Sequence, residues 1–271
     1  MRRASSETPS EAAQTEVERV VALTSLSADI IYRLDPNKLV GIPGSSLLKE
    51  DPRFADLPTM NEGRTPPDLE KIVALEPDLV IGAEGFSDKA LARLEELGIQ
   101  TIATEFDSWE SLKEVTQTLA KAIAADPQPL LDLYDQYLAN AVNSQTDASI
   151  LVLASRQPIL SPNKNSWAGD FLKQFSANNL AADLQGSSPI GGYVTLSPEK
   201  IVQADPEIIL IIDPAQAEIA EQLKQEPFWQ DLQATKSDRV YVFDYYGLVN
   251  PGSLAKIETA AQKLGTIFAE N

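Results

Sequence analysis

The 271-residue chain is 43% hydrophobic and 23% charged, a balance that supports a large buried core. Its 40 acidic residues outnumber 22 basic ones, giving a formal charge of −18 that speaks against a nucleic-acid partner. Cysteine and histidine are both absent, which excludes disulfides, thiolate nucleophiles, Ser-His-Asp catalysis and His-rich zinc sites together.

No apolar run approaches the ~20 residues needed to cross a bilayer. Met1-Arg2-Arg3 opens like a signal peptide, but no apolar stretch follows. Residues 1–18, rich in Ser, Glu, Ala, Gln and Pro, are expected to form a disordered leader or a tether to a membrane anchor.

From there strand and helix signals alternate, the pattern of an α/β protein with mostly parallel sheets. Arg19 to Thr24 reads as a strand, Ser25 to Leu34 as a helix, and Leu39 to Ile42 as a strand ending at Pro43-Gly44. Asp68 caps a short helix that must stop before Pro77, and Leu79 to Gly82 follows as a strand. The proline is expected to hold the residue before it in extended geometry. Ser87 to Leu97 is an amphipathic helix closed by Gly98, and Gln100 to Thr104 the next strand. Trp109, Leu112, Val115, Leu119 and Ile123 recur at helical spacing, which makes Trp109 a core residue. Asp126-Pro127-Gln128-Pro129 breaks that helix and opens another, expected over 127–145 and ~28 Å long. Beyond it come strands at Ser149 to Ser155, Ile208 to Ile212 and Arg239 to Phe243. Helices are expected at Trp167 to Leu180, Ala215 to Gln225 and Leu254 to Glu270.

One segment occurs twice. Glu70-Lys71-Ile72-Val73-Ala74-Leu75-Glu76-Pro77-Asp78-Leu79-Val80-Ile81 returns at an offset of 129 residues as Glu199-Lys200-Ile201-Val202-Gln203-Ala204-Asp205-Pro206-Glu207-Ile208-Ile209-Leu210. Val20 to Ser25 and Ile150 to Ser155 keep nearly the same offset. Duplication at half-length predicts two similar lobes, 19–125 and 147–271, joined by a stiff helix at 126–146. A ligand cleft lies between such lobes.

In their order and spacing, "RVVALTSLSADIIYRL", "LVGIP", "PPDLEKIVALEPDLVIG" and "LSPEKIVQADPEIILII" resemble the helical-backbone (cluster A-III) periplasmic substrate-binding proteins of ABC importers for ferric siderophores, haem and cobalamin. The resemblance spans about residues 17–271. It implies two Rossmann-like lobes, no enzymatic reaction and a periplasmic, lipid-anchored or free monomer. It also implies a metal-chelate ligand and a permease dimer as partners, with Glu70 and Glu199 docking onto permease arginines. A local role for each Glu, facing the positive end of its helix, is the alternative.

Loops after the strands supply the ligand candidates: Ser25, Ser45, Arg64, Thr65, Phe86 and Trp109 in the first half, with core packing favoured for Trp109, and Arg156, Trp167, Tyr193, Tyr245, Tyr246 and Asn250 in the second. Arg64 and Arg156 suit an anionic chelate, or else sit in surface ion pairs. Trp167 follows a polar loop and is the aromatic expected to meet the ligand, and one of Tyr245 and Tyr246 is expected to reach it. A ferric siderophore, which requires no protein–metal bond, is the preferred ligand, with haem through a Tyr ligand or cobalamin next. A Rossmann enzyme is the competing class, and a ligand-free interaction protein is a further alternative. Against the enzyme, Gly82-Ala83-Glu84-Gly85 is too short and too acidic to cradle a phosphate.

Overall fold

The computed structural model describes residues 16–63, 65–139, 146–186, 188, 190–213 and 219–269. The chain starts with β1 (Val20–Ala22), α1 (Ser25–Leu34), β2 (Leu39–Gly41), α2 (Ser46–Lys49) and α3 (Leu69–Ala74). It continues through β3 (Leu79–Ala83), α4 (Asp88–Glu96), β4 (Gln100–Thr104), α5 (Trp109–Ala122) and α6 (Gln128–Leu138). The four strands form one parallel sheet in the order β2-β1-β3-β4.

The second half supplies β5 (Ser149–Leu153), β6 (Ser155–Arg156), β7 (Ile159–Pro162), α7 (Trp167–Gln174), β8 (Asn178–Asn179) and β9 (Tyr193–Leu196). Next come α8 (Pro198–Ala204), β10 (Ile208–Ile212), α9 (Ile219–Lys224) and α10 (Gln233–Lys236). β11 (Val240–Phe243), α11 (Tyr245–Leu248) and α12 (Leu254–Ala269) complete it. A second parallel sheet runs β11-β10-β5-β8, and its central β10 is buried at every residue, as an unbroken Ile-Ile-Leu-Ile-Ile run requires. The architecture is thus α/β with two parallel sheets. A small antiparallel sheet, β6-β7-β9, stands beside the second one. Its short strands carry no alternation long enough to read from sequence.

The duplication holds at the level of caps. Asp68 accepts the amides of Glu70 and Lys71 at 3.1 and 3.2 Å, and Ser197 accepts that of Lys200 at 3.4 Å. The expectation of extended backbone before each proline fails in both copies: Glu76 has φ 46° and Asp205 φ 40°. The amide of Asp205 closes the end of α8 on the Ile201 carbonyl at 3.0 Å, and its carboxylate accepts the amide of Gln233 at 2.8 Å. Those bonds hold it left-handed, a conformation that Asp tolerates better than most residues.

Two expected lengths change. The helix expected over 127–145 is helical from Gln128 to Leu138, about 16 Å, and residues 140–145 lie outside the described set. The helix expected to run from Trp167 to Leu180 stops at Gln174, because Ser176 takes a left-handed turn and β8 begins at Asn178.

The connection between the halves is broader than one helix. A single apolar core contains Ile30, Leu112 and Tyr134 together with Phe171, Ile208, Leu210 and Phe268. Trp109 at the start of α5 stacks on Trp167 (5.9 Å between centroids, 27°) and on Phe171 (5.5 Å, 14°). The Trp109 amide also donates to Asp170 at 2.7 Å. α12 leaves the second sheet and packs on α1 and α6, so the end of the chain ties back to its beginning.

Candidate ligand cleft

A cleft of about 830 Å3 opens where all four strands of the first sheet end. Thr24 and Ser25 follow β1, Pro43 to Ser46 follow β2, Glu84 and Phe86 follow β3, and Glu105 and Phe106 follow β4. Tyr246 and the segment Asn250 to Gly252 face them from the second half. Loops beyond the carboxyl ends of parallel strands are where open α/β sheets bind ligands, since backbone amides and variable side chains converge there.

The loops are fixed from within. Thr24 caps α1 by accepting the Ser27 amide at 3.2 Å. Asn61 accepts the Gly44 amide at 2.6 Å and donates to the carbonyls of Gly63 and Thr65, both at 3.0 Å. A Cβ on Gly44 would lie 2.0 Å from the Asn61 carbonyl oxygen, so only glycine fits this approach. Opposite, the Trp167 indole N–H donates to the Gly247 carbonyl at 2.9 Å, and the Gly247 amide donates to the Asn250 carbonyl at 2.7 Å. Gly247 has φ 98°, which kinks α11 and presents Tyr246 to the cleft.

Of the residues proposed from sequence, Ser25, Ser45, Phe86, Tyr246 and Asn250 line this cleft. Phe86 is 71% exposed, a large apolar surface to leave in water. Tyr245 meets Tyr246 edge-on at 5.3 Å and neighbours Tyr193. Burial, with a smaller contribution from Tyr245, holds the Tyr193 phenol well above its ordinary range. Arg64 lies outside the described residues.

Two expectations are corrected. Trp167 is 3% exposed and belongs to the core between the halves, because the polar loop before it ends in Ser166, which caps α7 and turns the indole inward. Arg156 lies elsewhere: it lines a separate depression of about 310 Å3 with Pro158 and Phe228, where it pairs with Glu226 at 3.0 Å. Sequence reading passes over Asn61, Glu105, Phe106 and Pro251. Three of them follow the ends of strands or helices, the same signal that points to Ser25 and Phe86.

A second hollow of about 860 Å3 lies at the opposite end of the first sheet, around Asp78, Gly98 and Lys121. Among the described residues no aromatic side chain lines it, and it sits at the amino ends of the strands, so the carboxyl-end cleft is the better site. Among the described residues, no three or more Asp or Glu side chains gather to hold a metal ion.

The two proposed docking residues are exposed and occupy the same position of their helices. Glu70 is the second residue of α3 and Glu199 the second of α8. A hydrogen bond from Ser197, followed by the helix amide, holds the Glu199 carboxyl below its usual range. Val73 and Val202, one turn further on, are 40% and 44% exposed.

Comparison with known proteins agrees with this architecture. Residues 20–246 match the family described as Periplasmic binding protein. A substrate-binding lipoprotein of an ABC transporter from Bacillus subtilis, YvrC, is 27% identical over 244 residues, 84% of this chain and 73% of its own. The vitamin B12-binding protein of Vibrio campbellii is 26% identical over 71% of this chain and 70% of its own. The crystal structure of the haem-binding protein HutB of Vibrio cholerae superposes with a TM-score of 0.76 at 22% identity, covering 92% of this chain and 98% of that one. The chain belongs to the periplasmic binding protein family of ABC importers, and it is an extracytoplasmic substrate-binding component of transport, with no catalytic role.

Proposed function

We propose that this protein captures a ferric siderophore in the cleft between its two sheets and delivers it to an ABC-transporter permease. The observation that carries the reading is the cleft itself. Its volume of about 830 Å3 suits a bulky chelate. Hydroxyl and amide groups from Thr24, Ser25, Ser45 and Asn250 can hydrogen-bond the periphery of such a ligand, and Phe86, Phe106 and Tyr246 supply apolar surface. None of this requires the protein to coordinate the metal.

Cobalamin is the second reading, favoured by the similarity to a vitamin B12-binding protein. Its amide-rich rim would use the same neutral groups. Haem fits less well: there is no histidine to ligate the iron, which leaves Tyr246 as the phenol lining the cleft. The protein works as a monomer in the periplasm or on a lipid anchor, and Glu70 and Glu199 engage the two permease subunits. The equal register of the two glutamates, each followed by an exposed valine, supports that part.

Calorimetric titration with ferrichrome, cyanocobalamin and haemin tests the ligand. Submicromolar binding of the ferric hydroxamate is expected. Tight binding of only cyanocobalamin, or of only haemin with a Soret band, would overturn the choice of siderophore.

A further inference from the structure

The strand ends of the two sheets repeat one arrangement of carboxylates, and among the described residues a cation pairs with one copy and not with the other. In the first sheet Ala83 of β3 lies in register with Thr104 of β4, and the amide of Glu84 donates to the Thr104 carbonyl at 3.0 Å. Glu84 and Glu105 therefore leave adjacent parallel strands side by side, where strands are about 4.8 Å apart. In the second sheet Ile212 of β10 lies in register with Phe243 of β11, and the amide of Asp213 donates to the Phe243 carbonyl at 2.9 Å. Asp213 and Asp244 are the same pair in the other copy, Asp213 standing 129 residues after Glu84.

In the second sheet the protein answers this repulsion itself, since Lys256 pairs with Asp244 at 2.8 Å. In the first sheet it does not. Glu84 and Glu105 are exposed, line the cleft and make no ion pair among the described residues. Lys49 is the cation described at the cleft. It follows β2, which the sheet order β2-β1-β3-β4 separates from β3 by a whole strand. Like charges side by side are unfavourable, and they persist here at the mouth of an 830 Å3 cavity with no ion pair among the described residues to offset them.

We infer that Glu84 and Glu105 select the charge of the ligand: the cleft takes neutral chelates or chelates bearing a cationic group, and rejects polyanionic ones. This inference rests on the cleft being the chelate site. An ammonium on the chelate would sit against the ends of β3 and β4, where it relieves the repulsion and gains charge-assisted hydrogen bonds. A polyanionic catecholate complex would add to the repulsion instead. Of the two arginines expected to favour an anion, Arg156 does not counter this, because Glu226 holds it outside the cleft, and Arg64 lies outside the described residues.

The test compares chelates that differ only in charge. Ferrioxamine B carries a free ammonium, its N-acetylated form does not, and ferric enterobactin is a polyanion. Cyanocobalamin and its monocarboxylic acid form the matching corrinoid pair. Calorimetry should show ferrioxamine B binding about tenfold tighter than its acetylated form, a difference that falls as sodium chloride is raised. Ferric enterobactin should bind weakest, and the corrinoid acid more weakly than its parent amide. Glu84→Gln with Glu105→Gln should erase the ferrioxamine difference. Equal or tighter binding of the anionic members, or a charge preference that survives the double substitution, would overturn the inference while the cleft remains a chelate site. Failure of every chelate to bind the unaltered protein would remove the cleft reading and this inference with it.

Discussion

The carboxylate of Asp29 accepts the backbone amide of Leu254, 225 residues later in the chain, at 2.8 Å. Asp29 is fully buried in α1 and also pairs with Arg33 at 3.1 Å and Arg53 at 2.9 Å. Leu254 is the first residue of α12, so one carboxylate caps the closing helix and anchors it to the first lobe. The two sheets are thereby tied at both ends of the sequence and through α6 between them.

Asp29→Asn should therefore destabilise the fold by about 3 kcal/mol, since it leaves two guanidinium groups facing a neutral amide beside a buried cap. Urea unfolding followed by circular dichroism and by tryptophan fluorescence should remain one coincident transition, because the two sheets share a core. Two separated transitions would show that the lobes are energetically independent.

The neighbouring Asp51 adds a pH dependence. Its hydrogen bonds to Arg53 hold the carboxyl below its ordinary value of 3.8, against an opposing but smaller effect of burial. A carboxyl depressed in the folded state stabilises above its unfolded value, and that contribution fades as pH falls through the folded one. Asp51→Asn should melt below the parent protein at pH 7, and the gap should start to narrow as pH falls below about 4. A gap of constant size from pH 7 to pH 3 would contradict the role given to the ion pair.

Trp167 separates packing from binding. Trp167→Ala should cost about 3–5 kcal/mol, because the ring stacks on Trp109 and its N–H holds the Gly247 carbonyl. Trp167→Phe keeps most of the packing but gives up the bond that fixes the Gly247 turn, so any loss of affinity should come with a loss of stability. A loss of affinity in Trp167→Phe at unchanged stability would return the indole to the cleft.

Much of this arrangement is legible in the sequence. The apolar run from Ile208 to Ile212, the caps at Asp68 and Ser197 and the helix stops before Pro77 and Pro206 are local signals that the structure follows, although Glu76 and Asp205 turn left-handed where extended backbone is expected. The duplicated segment further implies that each sheet repeats the other. Side-chain direction is not legible. Trp167 and Tyr246 both follow polar or turn-forming residues, yet one packs inward from a capped helix start and the other is turned outward by the kink at Gly247. Arg156 is displaced by a short antiparallel sheet whose strands of two to four residues leave no periodic trace.

Glu70 and Glu199 carry the transport side of the proposal. Glu70→Lys with Glu199→Lys should reduce uptake to background in cells while chelate affinity of the purified protein stays within about twofold. Either single reversal should give an intermediate rate, because the two positions are equivalent copies. Uptake that survives the double reversal would assign both residues to their helix dipoles alone.

Ligand held at the carboxyl ends of β1 to β4 against the segment around Tyr246 should shield the backbone amides of those loops. Hydrogen–deuterium exchange with and without saturating chelate tests this most directly. New protection should appear in residues 23–26, 43–46, 104–106 and 246–252, with no change around Arg156 and Glu226. Protection confined to the hollow around Asp78 and Gly98, with the cleft loops unchanged, would contradict it.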